Sequence, residues 1–353
     1  MAFPLTVIAG TEARAQLTEL GWQPELFKAI VGASGGAKLL GIAHLDRTIF
    51  TNFFSRIDHL MELYGSSVGS WRHAALASAD AVGALEKLQY RYLNQVWEQD
   101  DPRPAHEIVD GLCEWVLDGF LNQESINSII DHPRFTTHIV TARGRGLNNR
   151  PNDWLLAIGM GSSTIGNILH RDLLILGFQR VVFSSGPSRA FSFRDFDTAY
   201  VPLTQDIVKP ALIASGSIPF LMGSVNFQQG TLPGQYWDGG VIDYHFDFIN
   251  QTGEGMILYP HFGTSVIQAW FDKKLPWRRT PAEPLRRTVV VAPSNNYLKQ
   301  LPRGKVPNRK DFTRYNDADR LKNWQTAVER SKVLGAAFEE MISHSDPLAY
   351  LTD

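Results

Sequence analysis

The stretch LYGSSVGSWRHAAL, residues 63–76, brings an apolar run into Gly65-Ser66-Ser67-Val68-Gly69 and leaves in a helix-forming segment. The Gly65-x-Ser67-x-Gly69 spacing lets a strand reverse into a helix with a hydroxyl at the apex of the turn. The helix that follows sets its N-terminal amides near that hydroxyl, where partial positive charge favours anionic species. A chain with 29 glycines in 353 residues can produce this match by chance, so the neighbouring sequence has to carry the reading.

Working outward, VIAG (7–10) reads as a short strand and TEARAQLTELGW (11–22) as a helix. LFKAIVG (26–32) reads as a second strand that enters Gly32-Ala33-Ser34-Gly35-Gly36-Ala37-Lys38, and residues 39–54 have apolar positions at helical spacing. HLMELYG (59–65) is a third strand leading into the opening turn. This βαβα order predicts an α/β fold with a parallel sheet and loops at the carboxyl ends of its strands. Residues 78–134 read as mostly helical, broken by DDPRP (100–104). Strands are expected at 135–143, 180–186, 236–248 and 255–262, and a final helix at 317–342. The Pro/Arg stretch 276–287 is the one candidate linker. The most apolar segment, 154–178, is interrupted by Arg171-Asp172 and reads as a buried helix, with an interfacial membrane contact as the alternative.

Composition narrows the function. The 34 basic and 36 acidic residues leave a net charge of −2, which provides no field for nucleic acid. Cys113 is the only cysteine, which excludes an internal disulfide and a cysteine-clustered metal site. The N-terminus lacks a basic start followed by a long apolar segment, and no uncharged run approaches the roughly 18 residues of a membrane span. The expected location is cytoplasmic or at a membrane periphery, without a cleaved signal peptide.

An ester-cleaving serine needs a base, donors for the oxyanion and a turn that exposes it. Ser67 is the candidate nucleophile, with Gly65 and Gly69 forming its elbow. Ser34, Gly35, Gly36 and Lys38 form the candidate oxyanion loop, since adjacent glycines let backbone amides face a ligand unobstructed. Asp238, in Trp237-Asp238-Gly239-Gly240, is the candidate base. Gly32-Ala33-Ser34-Gly35-Gly36 is a second match to the elbow pattern. A nucleophile at Ser34, however, would need an oxyanion loop at residues 10–14, with one glycine and the acidic Glu12 beside the developing anion. Asp243, His245 and Asp247 would share one face of a strand, either as a metal site or as a hydrogen-bonded edge, and the latter is expected. Arg143 and Arg145 read as loop-bracing residues, with contact to a phosphate headgroup as the alternative.

Taken together, SGGAKL, GSSVGS and DGG, in this order, resemble the patatin-like phospholipase family, and ALIASGSIPFLMGSV (211–225) looks like the Ala-Ser-x-x-x-Pro segment before that family's aspartate. The sequence departs from the family pattern at Ser34 and Leu39, where glycines are usual, and at Ser70, where alanine is. The resemblance, over roughly 28–262, implies a three-layer α/β/α sandwich with a mostly parallel sheet, a hydrolase domain at 1–262 and a C-terminal extension at 263–353. It also implies a Ser67–Asp238 dyad acting on a lipid or phospholipid ester without a cofactor or metal, with a peripheral membrane contact compatible with that substrate. A triad through His245 or His261 would require the strands that an α/β-hydrolase places before its elbow, and few fit into the first 64 residues. Two other readings are an inactive lipid- or protein-binding module on the same fold and an esterase or thioesterase for soluble acyl donors.

Overall fold

A computed structural model describes residues 2–55, 57–96, 101–190, 192–193, 195, 197–228, 232–247, 253–280 and 285–352. Strands and helices alternate from the start: β1 (Leu5–Ala9), α1 (Thr11–Leu20), β2 (Phe27–Gly32), α2 (Ala43–Thr48), β3 (Met61–Ser66) and α3 (Val68–Leu76). Helices α4 (Ala81–Leu93), α5 (Ala105–Leu117) and α6 (Gln123–Asp131) precede β4 (Phe135–Gly144). Next come α7 (Asp153–Leu169), β5 (Phe178–Ser184), β6 (Thr198–Pro202), α8 (Gln205–Gly216), the paired β7 (Val225–Phe227) and β8 (Gly234–Asp238), and β9 (Met256–Pro260). The chain ends with a small ribbon of β10 (Val266–Ile267) and β11 (Arg279–Thr280), then β12 (Thr288–Pro293), α9 (Asn295–Leu298), α10 (Asp311–Arg314), α11 (Asp317–Arg330) and α12 (Lys332–Ser343).

One ten-stranded sheet runs in the order β1-β12-β9-β2-β3-β4-β5-β6, with β8 paired to β4 and β7 to β8. From β12 through β4 all neighbours are parallel. Every residue of β3 and β12 is buried, as expected for central strands covered by helices on both faces. The parallel centre is what the βαβα order predicts, and the α/β/α sandwich is what the resemblance implies. Strand β12, from beyond residue 263, lies between β1 and β9, so the C-terminal segment completes the central sheet as well as supplying α12, which packs against α2.

Four local expectations differ from the fold. The strand expected over 236–248 stops at Asp238, because its carboxylate accepts the Gly240 N–H at 2.6 Å and caps a turn at Gly239–Val241; Phe248 lies outside the described residues. The last helix is two helices broken at Ser331, whose hydroxyl accepts the His44 N–H and donates to the Val328 carbonyl. The stretch expected as a linker contains a 3-10 turn at Pro276–Arg278 and β11, while 281–284 lie outside the described residues.

The fourth difference concerns α7. The buried-helix expectation is corrected, because Trp154, Ile165 and Leu169 are 73%, 63% and 72% exposed, and Ile158 and Ile168 stand on the same stripe. The opposite face anchors the helix, with Leu156 and Met160 packed in a buried apolar cluster and polar groups beside them. Asn148 Nδ2 donates to Ser163 Oγ at 3.0 Å, and Asn167 Nδ2 to Asp272 Oδ1 at 2.6 Å. Among the described residues no helix is long and apolar enough to cross a membrane.

Candidate active site

Strand β4 brings the two ends of the candidate site together. Ser66, the last residue of β3, pairs with Val140 of β4, and Asp238, the last residue of β8, pairs with Thr141. The two strands therefore end against consecutive residues of one long strand, and the side chains of Ser67 and Asp238 converge across 171 positions of sequence.

Ser67 sits between β3 and α3 with φ 55° and ψ −132°, a conformation that L-residues rarely adopt and that costs on the order of 1–3 kcal/mol. Its neighbours allow the turn to be tight. A Cβ at Gly65 would stand 2.4 Å from the Ser70 backbone nitrogen, and one at Gly69 would stand 2.0 Å from the Gly32 carbonyl oxygen. The glycines of the motif are thus required by close backbone approach, at Gly69 between α3 and β2.

The Ser67 hydroxyl donates to Asp238 Oδ2 at 2.7 Å, while Asp238 Oδ1 accepts from the Gly240 N–H. Burial penalises the Asp238 carboxylate and pushes its pKa up to about 6, although the hydrogen bonds from Ser67 and Gly240 act in the other direction. The Ser67 N–H donates to Ser215 Oγ at 2.9 Å, and Ser215 Oγ donates to the Val140 carbonyl at 2.7 Å. Ser70 Oγ reaches the Ser67 carbonyl at 2.6 Å. Ser215 was visible in the sequence only as part of the Ala-Ser-x-x-x-Pro segment, without a role of its own.

Ser34, Gly35, Gly36 and Lys38 line the same cavity as Ser67 and Asp238. Gly36 has φ 55°, and Gly35 and Gly36 stand at the N-terminus of a 3-10 segment, where N–H groups have no intrahelical acceptor. Ser34 is buried, with its hydroxyl 3.0 Å from Ser66 Oγ, so the partner of this rival serine is another hydroxyl and not a base.

The remaining candidates lie elsewhere. His245 and His261 pack against each other with ring centroids 4.2 Å apart and do not line the Ser67 cavity. Asp243 is off any strand and bonded to Arg180 at 2.6 Å, which corrects the shared strand face expected for Asp243, His245 and Asp247. No group of three His, Cys, Asp or Glu side chains among the described residues could hold a metal ion. Arg143 clasps the Pro233 carbonyl and Gln179, and Arg145 the Ile175 carbonyl.

Ser67 stands where two cavities meet. One, of about 190 Å³, is lined by Ser34, Gly35, Gly36, Lys38, Asp238, Tyr244, Lys273, Arg309 and Lys310. The other, of about 950 Å³, is largely apolar, with Val68, Trp71, Leu112, Ile218, Phe220 and Met222 in its walls. Lys273, Arg309 and Lys310 had no signal in the sequence, because nothing in their local pattern indicates that they reach the serine.

The patatin-like phospholipase family model matches residues 17–245, more than half of the chain, and the chain belongs to that family. Among solved structures it is similar to human GIVD cytosolic phospholipase A2, at 12% identity and a TM-score of 0.40, over 90% of this chain and 60% of that one. The chain therefore spans about three fifths of that relative's length. No curated protein matches at a significant level.

Proposed function

We propose that the protein is a serine hydrolase of lipid carboxylic esters, of the phospholipase A or lysophospholipase type, acting through a Ser67–Asp238 dyad. The observation that carries the reading is the 2.7 Å hydrogen bond from a strained, buried Ser67 to a buried carboxylate. Asp238 accepts the Ser67 proton as Oγ attacks the ester carbonyl. The amides of Gly35 and Gly36 stabilise the oxyanion of the tetrahedral intermediate. Asp238 then passes the proton to the leaving alcohol; water, deprotonated by the same carboxylate, attacks the acyl carbonyl, and Asp238 returns that proton to Ser67 Oγ as the fatty acid leaves.

Two features favour a lipid over a soluble acyl donor. The 950 Å³ apolar cleft that opens on Ser67 has room for an acyl chain. The outward apolar stripe of α7 suits the surface of a bilayer, and α7 is tied through Asn167 and Asp272 to the Trp270–Lys274 turn that lines the serine's cavity. Docking there would bring the cavity wall to the lipid.

The test is labelling by a fluorophosphonate, with the adduct mapped by peptide mass. Labelling of the wild type at Ser67 and its loss in Ser67→Ala but not in Ser34→Ala is the expected result. An adduct on Ser34 would overturn the assignment, and no adduct on either serine would favour a binding module on the same fold.

A further inference from the structure

The small cavity beside Ser67 carries more positive charge than the candidate oxyanion loop alone brings to it. Lys38, Lys273, Arg309 and Lys310 all line it, against one carboxylate, Asp238, which is already bonded to Ser67 and Gly240. Among the described residues none of the four cations is ion-paired with an acid. Lys38 Nζ instead donates to the Tyr244 hydroxyl at 3.2 Å, and Lys273 Nζ lies 3.7 Å from the centre of the Tyr244 ring. Three of the four, Lys273, Arg309 and Lys310, come from beyond the 17–245 range that matches the family.

Clustered cations repel one another, and partial desolvation aggravates the cost. Desolvation, with the charges of Lys38 and Arg309, lowers the Lys273 pKa. Burial raises the Tyr244 phenol, and the two lysines outweigh it and leave the group below its ordinary value. An anion bound between these groups would relieve both strains.

Building on the hydrolase reading, we infer that this cavity holds the phosphate of an anionic headgroup, so that the preferred ester carries net negative charge beside its glycerol. Lys273 and Arg309, facing the cavity from two separate segments, clasp the phosphate oxygens, and Lys310 adds charge at the rim. A choline would find no free carboxylate here, so a zwitterionic headgroup gains less than a bare phosphate. The acyl chain then extends from Ser67 into the larger, mostly apolar cleft, whose wall shares Arg309 and Lys310 with the small cavity.

The experiment compares kcat/KM for 1-acylglycerol 3-phosphate, the matching glycerophosphocholine ester and the matching monoacylglycerol, each in neutral detergent micelles. The expected order is anionic, then zwitterionic, then neutral, with about a tenfold advantage for the first over the last. The advantage should fall to within about twofold in Lys273→Gln and Arg309→Gln, each made separately. Equal rates on all three esters, or a preference that survives both substitutions, overturn the inference. Calorimetric binding of glycerol 3-phosphate and of inorganic phosphate to the Ser67→Ala protein separates this idea from the hydrolase reading, since it requires no turnover. Glycerol 3-phosphate binding that is lost in the Lys273→Gln background supports the site even if Ser67 proves unreactive. Absence of that binding overturns the site even if Ser67 labels. Inorganic phosphate binding without any binding of glycerol 3-phosphate overturns the headgroup assignment in favour of a free-anion site.

Discussion

A Cβ at Gly69 would lie 2.0 Å from the carbonyl oxygen of Gly32, so β2 and α3 touch backbone to backbone beneath the serine turn. Gly69→Ala must therefore push the helix off the strand. The expected cost is about 1–3 kcal/mol, with loss of hydrolysis because the turn shifts. Gly111→Ala, on the exposed side of α5 where a Cβ meets nothing within 4 Å, serves as the control and should stabilise by about 0.5–1 kcal/mol. Thermal melts of the two variants check the contrast.

In the proposed mechanism Asp238 governs the pH response. Its pKa of about 6 exceeds the ordinary 3.8, and only the ionised form accepts the Ser67 proton, so kcat/KM should fall roughly tenfold per pH unit below that value. The stability effect has the opposite sense. A raised carboxyl pKa means that the folded state holds the proton more tightly, so this contribution is full below about 3.8 and is lost as pH rises through about 6. Asp238→Asn mimics the neutral form. It should abolish hydrolysis yet melt higher than the wild type at pH 8, by an amount worth about 1–3 kcal/mol, with the advantage vanishing near pH 4. Paired pH–rate and pH–melting curves read both effects.

Ser215 is a positioning residue, holding the Ser67 N–H and the Val140 carbonyl through one hydroxyl. Ser215→Ala leaves both buried groups without that partner, at about 1–3 kcal/mol. Because the released amide belongs to the elbow, kcat should drop about tenfold with KM little changed, whereas a purely structural role would lower the melting temperature alone.

The buried Arg180 binds Asp243 through two nitrogens, at 2.6 and 2.7 Å, and Asp195 at 2.8 Å. Arg180→Leu strands Asp243 in the interior and should destabilise by about 3–5 kcal/mol in urea. Burial alone would raise the Asp195 carboxyl, but the Arg180 and Arg171 charges outweigh it and hold the group below the carboxylate range. Its stabilisation is thus present above about pH 4 and lost as pH falls further, and Arg180→Leu should flatten that acid limb of the stability curve.

For α7, Trp154→Ser combined with Leu169→Ser removes two of the most exposed apolar side chains on the stripe. Co-sedimentation with vesicles of phosphatidylcholine and phosphatidylglycerol should drop at least tenfold, with hydrolysis of a monomeric butyrate ester retained. Unchanged sedimentation would assign the stripe to another partner.

How far the sequence could be read depends on whether the controlling interactions are local. The elbow at Gly65-x-Ser67-x-Gly69, the glycine loop before Lys38 and the Asp238-Gly239-Gly240 turn are each fixed by residues within a few positions of one another, so their turn chemistry was visible in the chain itself. The βαβα order followed from periodicity for the same reason. Three features depended on tertiary structure. Residues 154–178 read as a buried helix because they are apolar overall, whereas α7 buries only the face of Leu156, Met160, Ser163 and Asn167 and turns a second apolar stripe outward. Asp238 came to Ser67 because β3 and β8 end against consecutive residues of β4, a pairing between distant segments. Lys273, Arg309 and Lys310 reached the serine's cavity because the segment carrying β12 completes the central sheet and returns its flanking turns to the site. A sequence determines its turns and periodic faces through neighbours along the chain, whereas the charge around a site is set by whichever distant segments the packed sheet delivers there.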